Sequence, residues 1–273
     1  MNVNSKQHEY WNGEVATNWL SRLEHFERGL QGVNDALMKF ADLKPGMDVL
    51  DIGCGAGTTT EEIASRVYPG RVLGLDISKP LIEAARARSS GATSFIEADA
   101  SEFPFTPEFD LVFSRLGVMF FVNPVASFAN IRRALKPGGV MKFLCWCPQS
   151  EISYLSEPYR HVRDLLPPID PTPDNEPGPF GLADSARTLR LLEDAGWHGV
   201  RIRRTTPPSL IGATPEEAAE QVMNMGPLAR LLRGADDATK AKVLARITPL
   251  MDKWRTENGI EPPAACWLVE ARA

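Results

Sequence analysis

The sequence lacks the features that mark membrane-spanning, secreted and zinc-binding chains. Among its 273 residues the longest uninterrupted apolar stretch lies near 116–122, whereas a bilayer span needs ~20 residues. The N-terminal stretch MNVNSKQHEYW has no apolar core and no cleavage-site pattern, so we expect no secretory signal. The 4 cysteines contain no C-x-x-C pair and the 4 histidines are scattered, so no metal site is predicted. These absences predict a cytoplasmic protein with reduced thiols and no membrane partner.

Basic residues are also too few and too dispersed for a nucleic-acid partner to be expected. The formal net charge is −5, and hydrophobic and charged residues make up 43% and 24%, as in ordinary globular proteins. The one basic cluster, 201–204, falls in a predicted strand, where a solvated strand face is the preferred interpretation. We expect a small-molecule partner and either a monomer or a homodimer.

Apolar runs that alternate with helical periodicity predict an α/β fold. The pattern indicates a Rossmann-like, seven-stranded, mostly parallel sheet with helices on both faces, because strands joined by helical crossovers run parallel. The predicted strands are 48–52, 71–76, 94–98, 109–113, 140–146, 200–204 and 266–271. Helices are predicted at 58–67, 81–88, around 125–135 and at 185–195.

A single domain spanning 1–273 accounts for the whole pattern. Its expected parts are an N-terminal helical cap (1–43), a core with the ligand-binding strands (44–147), a proline-rich lid (148–183) and a C-terminal part (184–273). The lid contains PPIDPTPDNEPGPF, which excludes a long helix or a central strand. Residues 214–256 are predicted to form a helical insertion before the last strand.

The stretch VLDIGCGAG (49–57) is typical of a strand that leads into a ligand-binding loop. It lacks the lysine of a phosphate-binding P-loop, and Thr58 stands where a dinucleotide loop has its third glycine. Asp51, two residues before Gly53, would repel a diphosphate and favour a ligand with a positive centre. The loop therefore predicts an adenosine ligand without a diphosphate.

Two further acids follow the next two strands. Asp76 ends the second strand and offers two acceptor oxygens to ribose hydroxyls. Asp99 ends the third strand and offers an acceptor to an adenine amino group, although helix capping is the alternative for Asp99 alone. The carboxyl ends of parallel strands meet in one crevice, so Asp51, Asp76 and Asp99 are expected to lie together.

Five successive motifs resemble those of class I S-adenosylmethionine-dependent methyltransferases: VLDIGCGAG, LGLDIS, EADASEFPF, FDLVFSRLGVMFF and RRALKPGGVMKFLCW. Both ends of the chain, with YWNG (10–13) and GPFGLAD (178–184), resemble a bacterial small-molecule branch of that superfamily, with motifs similar to those of ubiquinone-biosynthesis methyltransferases. The resemblance covers nearly the whole chain. It implies S-adenosylmethionine as cofactor and S-adenosylhomocysteine as product, without naming the acceptor.

The resemblance also implies a set of cofactor contacts. Asp51, Gly53 and Gly55 would hold the methionine part, and Asp76 the ribose. The adenine would meet Ile77, Asp99 and Ala100, while Ser114 and Arg115 would lie near the sulphonium. An N-terminal helix would fold over the cofactor with Tyr10, Trp11 and Trp19, core packing being the alternative for Trp19.

The acceptor is predicted to be small and apolar or aromatic. The expected pocket residues, for which ordinary core packing is the alternative, are Arg115, Phe120, Phe121, Trp146, Phe180, Met223, Met225 and Leu228. His8, Tyr10 and His161 are candidate bases, but none belongs to a recognisable constellation. Two alternatives stay open: methyl transfer to protein or nucleic acid, and a non-catalytic S-adenosylmethionine-binding module.

Overall fold

A seven-stranded sheet forms the centre of the computed structural model, which describes residues 4–168 and 176–273. The strand order is β3-β2-β1-β4-β5-β9-β6, in which the first five strands run parallel and β9 is antiparallel to both neighbours. The α/β prediction is confirmed. The strands are β1 Val49–Ile52, β2 Val72–Asp76, β3 Thr93–Glu97, β4 Phe109–Arg115, β5 Leu135–Trp146, β6 His198–Thr205 and β9 Cys266–Arg272.

The helices fall into three groups along the chain. The N-terminal cap contains α1 Ser5–Asn12, α2 Glu14–Ser21, α3 Leu23–Gly29 and α4 Gln31–Ala41. The crossover helices are α5 Thr58–Val67, α6 Lys79–Arg88, α7 Pro124–Arg132 and α9 Ser185–Asp194. The remaining helices are α8 Ser153–Val162, α10 Pro215–Met223, α11 Gly226–Leu232 and α12 Asp237–Met251.

Both faces of the sheet are covered, which explains why its inner strands read as continuous apolar runs. All four residues of β1 are buried. Helices α4 and α5 pack on one face through residues such as Leu37 and Ile63. Helices α7 and α9 pack on the other through Phe128 and Leu192. The result is a rigid platform that presents the carboxyl ends of β1 to β4 at one edge.

A second hydrophobic cluster lies outside the sheet, and we call it the insertion core. Helices α8, α10, α11 and α12 build it, together with a small hairpin that the sequence did not predict, β7 Arg255–Thr256 and β8 Gly259–Ile260. Its buried members include Tyr154, Val222, Leu228 and Ile247. The predicted helical insertion therefore folds as a packed unit beside the sheet.

The prediction of a proline-rich lid over 148–183 is wrong for its first half, where α8 forms. Tyr154, Leu155, Pro158 and Val162 are buried on one face of this helix, with Pro158 inside it. Burial of that apolar stripe in the insertion core offsets the hydrogen bond that a proline removes. Within PPIDPTPDNEPGPF, the stretch 169–175 lies outside the described residues.

The described part of the chain contains neither a membrane-spanning helix nor a metal-binding cluster. No helix in 4–168 or 176–273 is long and apolar enough to cross a membrane. In the same ranges no group of three or more His, Cys, Asp or Glu side chains could hold a metal ion.

The basic cluster 201–204 lies on β6 at the sheet edge, where Arg201 pairs with Glu270 and Arg204 with Glu151.

Candidate functional site

A cavity of about 430 Å³ opens at the carboxyl ends of β1 to β4, beneath the N-terminal cap. In the sheet, β1 lies between β2 and β4, so the strand order reverses at this point. Ligands of open α/β sheets bind at such a reversal, outside the strand ends. The cavity wall combines the glycine loop, the ends of β2 to β4, the cap and parts of the insertion core.

The glycine loop needs glycine for two different physical reasons. Gly53, Gly55 and Gly57 have φ of +69°, +56° and +84°, in the left-handed region that other residues rarely adopt. A Cβ on Gly53 would lie 2.7 Å from the Cα of Gly117, so the backbone of the two loops excludes a side chain there. A Cβ on Gly55 would meet nothing within 4 Å. Gly55 lines the cavity, so this space is open to it.

Asp51 is fully buried behind the loop and does not itself line the cavity wall. Its Oδ2 accepts hydrogen bonds from the Thr59 and Thr60 hydroxyls at 2.7 and 2.8 Å, while Oδ1 is buried with no partner among the described residues. Burial raises the pKa of Asp51 to about 6, and the two threonine hydroxyls and Arg115 oppose that rise. A buried acceptor without a donor is unfavourable, so Oδ1 offers an acceptor to any donor group that reaches behind the loop.

Asp76 faces the cavity from the end of β2 and organises the loop around it. Its carboxylate accepts from the backbone N–H of Gly55 at 2.9 Å and of Ser78 at 2.8 Å. Burial raises the pKa of Asp76, and these backbone hydrogen bonds oppose the rise. Each carboxylate oxygen keeps a lone pair for a ligand hydroxyl.

Asp99 lies at the cavity, and the start of the chain is bound to it. Both carboxylate oxygens of Asp99 accept from the Asn4 side chain, at 3.0 and 2.8 Å, and Ser101 donates its backbone N–H to one of them. Ile77 and Ala100 line the cavity next to the two acids. No local pattern indicates the Asn4 contact, because it joins residues 95 positions apart.

Further bonds hold the cap over the cavity. Ser78 donates its hydroxyl to the Trp11 carbonyl at 2.6 Å, and the Asn12 side chain bonds the Ile77 carbonyl and the Lys79 backbone N–H. The rings of Trp11 and Phe120 meet edge to face at 5.2 Å. Tyr10, Trp11 and Trp19 all line the cavity.

Arg115 and Glu27 form an ion pair at the cavity, between the end of β4 and α3. Arg115 Nη2 lies 2.8 Å from both carboxylate oxygens of Glu27, and the two side chains are only 10% and 18% exposed. No described residue bonds Arg115 Nε or Nη1, so both remain donors for a ligand. Glu27 was not predicted, because nothing local in the sequence links the two residues.

Arg115→Met is expected to lower the free energy of unfolding by about 3 kcal/mol, because it leaves the Glu27 carboxylate without its partner in a poorly hydrated place. Urea unfolding measures this loss, and the double variant with Glu27→Met should recover most of it. Arg246→Met is the control, since its pair with Asp164 is 43% and 61% exposed and should contribute less than about 1 kcal/mol. Equal losses for Arg115→Met and Arg246→Met would contradict this assignment.

Four predicted pocket residues besides Arg115 line the cavity, namely Phe120, Phe121, Trp146 and Met225. The remaining three do not: Phe180 and Met223 pack against the insertion core, and Leu228 is buried within it. Ser114 also departs from the prediction, because its side chain is buried and its hydroxyl donates to the Ile52 carbonyl at 2.7 Å. Its role in this structure is to join β4 to β1 beneath the cavity.

Of the three candidate bases, Tyr10 lies at the cavity and the two histidines do not. His8 and His161 are exposed outside the cavity, and His161 Nδ1 lies 3.0 Å from the Glu157 carbonyl. Tyr10 lines the cavity although 53% of it is exposed. The cavity also contains His25, Tyr154 and Ser209, which were not predicted as site residues. Of these three residues, Tyr154 carries a sequence signal, which is the helical periodicity of the apolar residues around it.

Comparison with known proteins agrees with this geometry. A family model described as a methyltransferase domain matches residues 50–143. Cycloartenol-C-24-methyltransferase 1 of Oryza sativa subsp. japonica is 29% identical over 193 residues, covering 68% of this chain and 51% of that protein. Demethylmenaquinone methyltransferase of Staphylococcus saprophyticus is 26% identical over 183 residues, covering 62% and 78%.

A solved structure shares the fold. Phosphoethanolamine N-methyltransferase 2 of Haemonchus contortus, in complex with S-adenosyl-L-methionine, superposes with a TM-score of 0.54 at 18% identity, covering 94% of this chain and 59% of that one. The chain spans about half the length of the rice relative. The family model identifies residues 50–143 as a methyltransferase domain, and the strand order, the glycine loop and these relatives support a class I S-adenosylmethionine-dependent methyltransferase.

Proposed function

We propose that this protein transfers a methyl group from S-adenosylmethionine to a small, mainly apolar or aromatic acceptor. One observation carries the proposal: a single cavity joins the glycine loop and acids of the sheet to an apolar wall. That wall comes from the cap, the turn after β4, the end of β5 and the insertion core, and it includes Trp11, Phe120, Trp146, Ile211 and Met225. A pocket with one polar end and one apolar end suits a polar cofactor beside an apolar partner.

The residues at the polar end fit this cofactor. The open space at Gly55 lets a ligand approach the backbone closely. The unpartnered Oδ1 of Asp51 and the spare nitrogens of Arg115 complement an ammonium and a carboxylate. In the proposal Asp76 accepts from the ribose, while Ile77, Asp99 and Ala100 lie along the adenine.

S-Adenosylmethionine, when bound, supplies a methyl group attached to a positively charged sulphur. The chain's own task is to orient the acceptor and to exclude water, which can remove ~7–11 kcal/mol of barrier when reacting atoms are held in line. The bonds of Asn4 and Asn12 to the sheet edge keep the cap in place for this purpose. The imidazole of His25, which lines the cavity, could accept a proton from the methyl acceptor.

The cap and the charge distribution favour a small acceptor over a macromolecule. The cavity lies beneath the cap, and the basic cluster 201–204 lies on the opposite edge strand with two of its arginines in ion pairs. A non-catalytic binding module would need the same cofactor residues. A measurement of methyl transfer is therefore needed to distinguish an enzyme from a binding module.

Incubation with methyl-labelled S-adenosylmethionine and three acceptor pools tests the proposal: small aromatic and apolar molecules, total protein and total RNA. The proposal predicts label in the small-molecule pool. Label in protein or RNA alone would replace it with the macromolecular alternative. Saturable cofactor binding with no label in any pool would favour the binding module.

Cofactor affinity should depend on the protonation of Asp51. The pKa of Asp51 is raised from 3.8 to about 6, so the carboxylate is neutralised as the pH falls through that value and an ammonium loses its partner. The affinity for S-adenosylhomocysteine should therefore fall about tenfold per pH unit below pH 6 and level off above it. Calorimetry between pH 5 and 8 measures this, and Asp51→Asn should remove the dependence. An unchanged pH profile in Asp51→Asn would refute the role of Asp51.

A further inference from the structure

Gln7, on α1, lines the cavity and carries an unsatisfied acceptor atom. Its Oε1 is buried and has no hydrogen-bond donor among the described residues. A buried amide oxygen without a donor is unfavourable. The terminal torsion of a glutamine side chain is soft, so the amide gains a hydrogen bond by turning toward a donor group in the cavity.

The neighbours of Gln7 on α1 fix where its side chain lies. Asn4, the residue before α1, bonds the Asp99 side chain beyond the end of β3. The Trp11 carbonyl accepts from the Ser78 hydroxyl beyond the end of β2 at 2.6 Å. Because Asn4, Gln7 and Trp11 recur at spacings of three and four, they share one face of the helix. Gln7 therefore lies over the gap between the ends of β2 and β3, where the proposed function places the adenine.

Asp99, the other acceptor at this place, is largely occupied by the cap. Its Oδ1 accepts from the Asn4 side chain at 3.0 Å and from the Ser101 backbone N–H at 2.9 Å, and its Oδ2 accepts from Asn4 at 2.8 Å. A carboxylate offers about four lone-pair positions, so most of them are already filled. An amino group at this end of the cavity would meet little free capacity on Asp99 and the unsatisfied oxygen of Gln7.

A primary amide is complementary to adenine, because each presents a donor beside an acceptor. The amide oxygen can accept from the adenine amino group while the amide N–H donates to a neighbouring ring nitrogen. We infer that Gln7 recognises the adenine of the cofactor through this pairing and sets the preference of the cavity for a base with an amino group. The inference rests on the proposed function, since it assigns the adenine end of the same cavity. Gln7 is a specificity residue and takes no part in methyl transfer.

Two ligands that differ by one donor group test the inference. They are S-adenosylhomocysteine and its desamino analogue, in which hydrogen replaces the adenine amino group. Calorimetry should show that the wild type binds S-adenosylhomocysteine about tenfold more tightly, as one hydrogen bond in a buried site would give. Gln7→Met keeps the length of the side chain but removes its amide, so this variant should bind the two ligands nearly equally.

Gln221→Met is the matched control. Gln221 also lines the cavity, but it belongs to α10 and accepts from the Arg22 guanidinium at 2.9 Å. This variant should keep the wild-type preference. The inference is overturned if the wild type binds the two ligands equally, if Gln7→Met keeps the preference, or if Gln221→Met also loses it. Failure of the wild type to bind S-adenosylhomocysteine would instead refute the proposed function.

Discussion

Gly55→Val is expected to abolish binding of S-adenosylhomocysteine, by at least about 100-fold, while the protein remains folded. A Cβ at position 55 meets no protein atom within 4 Å, so a valine side chain would occupy the open space of the cavity itself. The cofactor proposal places the ligand in that space. Isothermal titration calorimetry of the wild type and of Gly55→Val with S-adenosylhomocysteine, at the same temperature, measures the loss of affinity.

A control must distinguish backbone strain at position 55 from exclusion of the ligand by the valine side chain. Gly55 has φ of +56°, where a residue with a side chain costs roughly 1–2 kcal/mol and a branched one more. Gly46→Val is the matched control, because Gly46 has φ of +87° and also has nothing within 4 Å, but lies outside the cavity. Both variants should lose similar stability in urea, and only Gly55→Val should lose binding. Equal binding losses would assign the effect to strain.

Asp76→Ala should weaken S-adenosylhomocysteine binding about 100-fold. It removes two charge-assisted hydrogen bonds to the ribose, each contributing about 1.5 kcal/mol or more. It also removes the acceptor for the backbone N–H of Gly55 and Ser78, so the loop loses part of its support. Asp76→Asn keeps one acceptor oxygen and should give an intermediate affinity.

Glu97→Ala provides the charge-matched control for Asp76. Glu97 pairs in register with Asp76 on β3 and is exposed, outside the cavity. Glu97→Ala changes the net charge by the same amount as Asp76→Ala and leaves the proposed site intact. Circular dichroism at the temperature of the titration confirms that each variant is folded. If Asp76→Ala binds as tightly as Glu97→Ala, the ribose assignment is wrong.

The sheet and the polar end of the cavity could be predicted because their signals are local. Strand β1 reads as an apolar run, and Ser78 caps α6 as expected from its position before Pro80. Asp76 ends β2 and Asp99 lies just beyond the end of β3, so parallel topology brings them to one edge. For such residues, the local sequence pattern and the parallel topology are enough to predict a place at the cavity.

The acceptor end could not be predicted, because tertiary packing decides it. The proline-rich segment 148–183 was predicted as a lid, yet burial in the insertion core stabilises α8 within it and thereby brings Tyr154 to the cavity. Glu27 and Arg115 lie 88 positions apart in sequence. Met225 lines the cavity while Met223 does not, a difference set by where α10 ends.

We expect this cavity to bind an adenosine ligand with an amino-acid zwitterion and without a diphosphate. Calorimetric titration of the wild-type protein with S-adenosylhomocysteine, NAD and ATP tests it most directly. We predict saturable binding of one S-adenosylhomocysteine per chain, at least about 100-fold tighter than either nucleotide, because Asp51 repels a diphosphate at the loop. Equal or tighter binding of NAD or ATP would contradict the account.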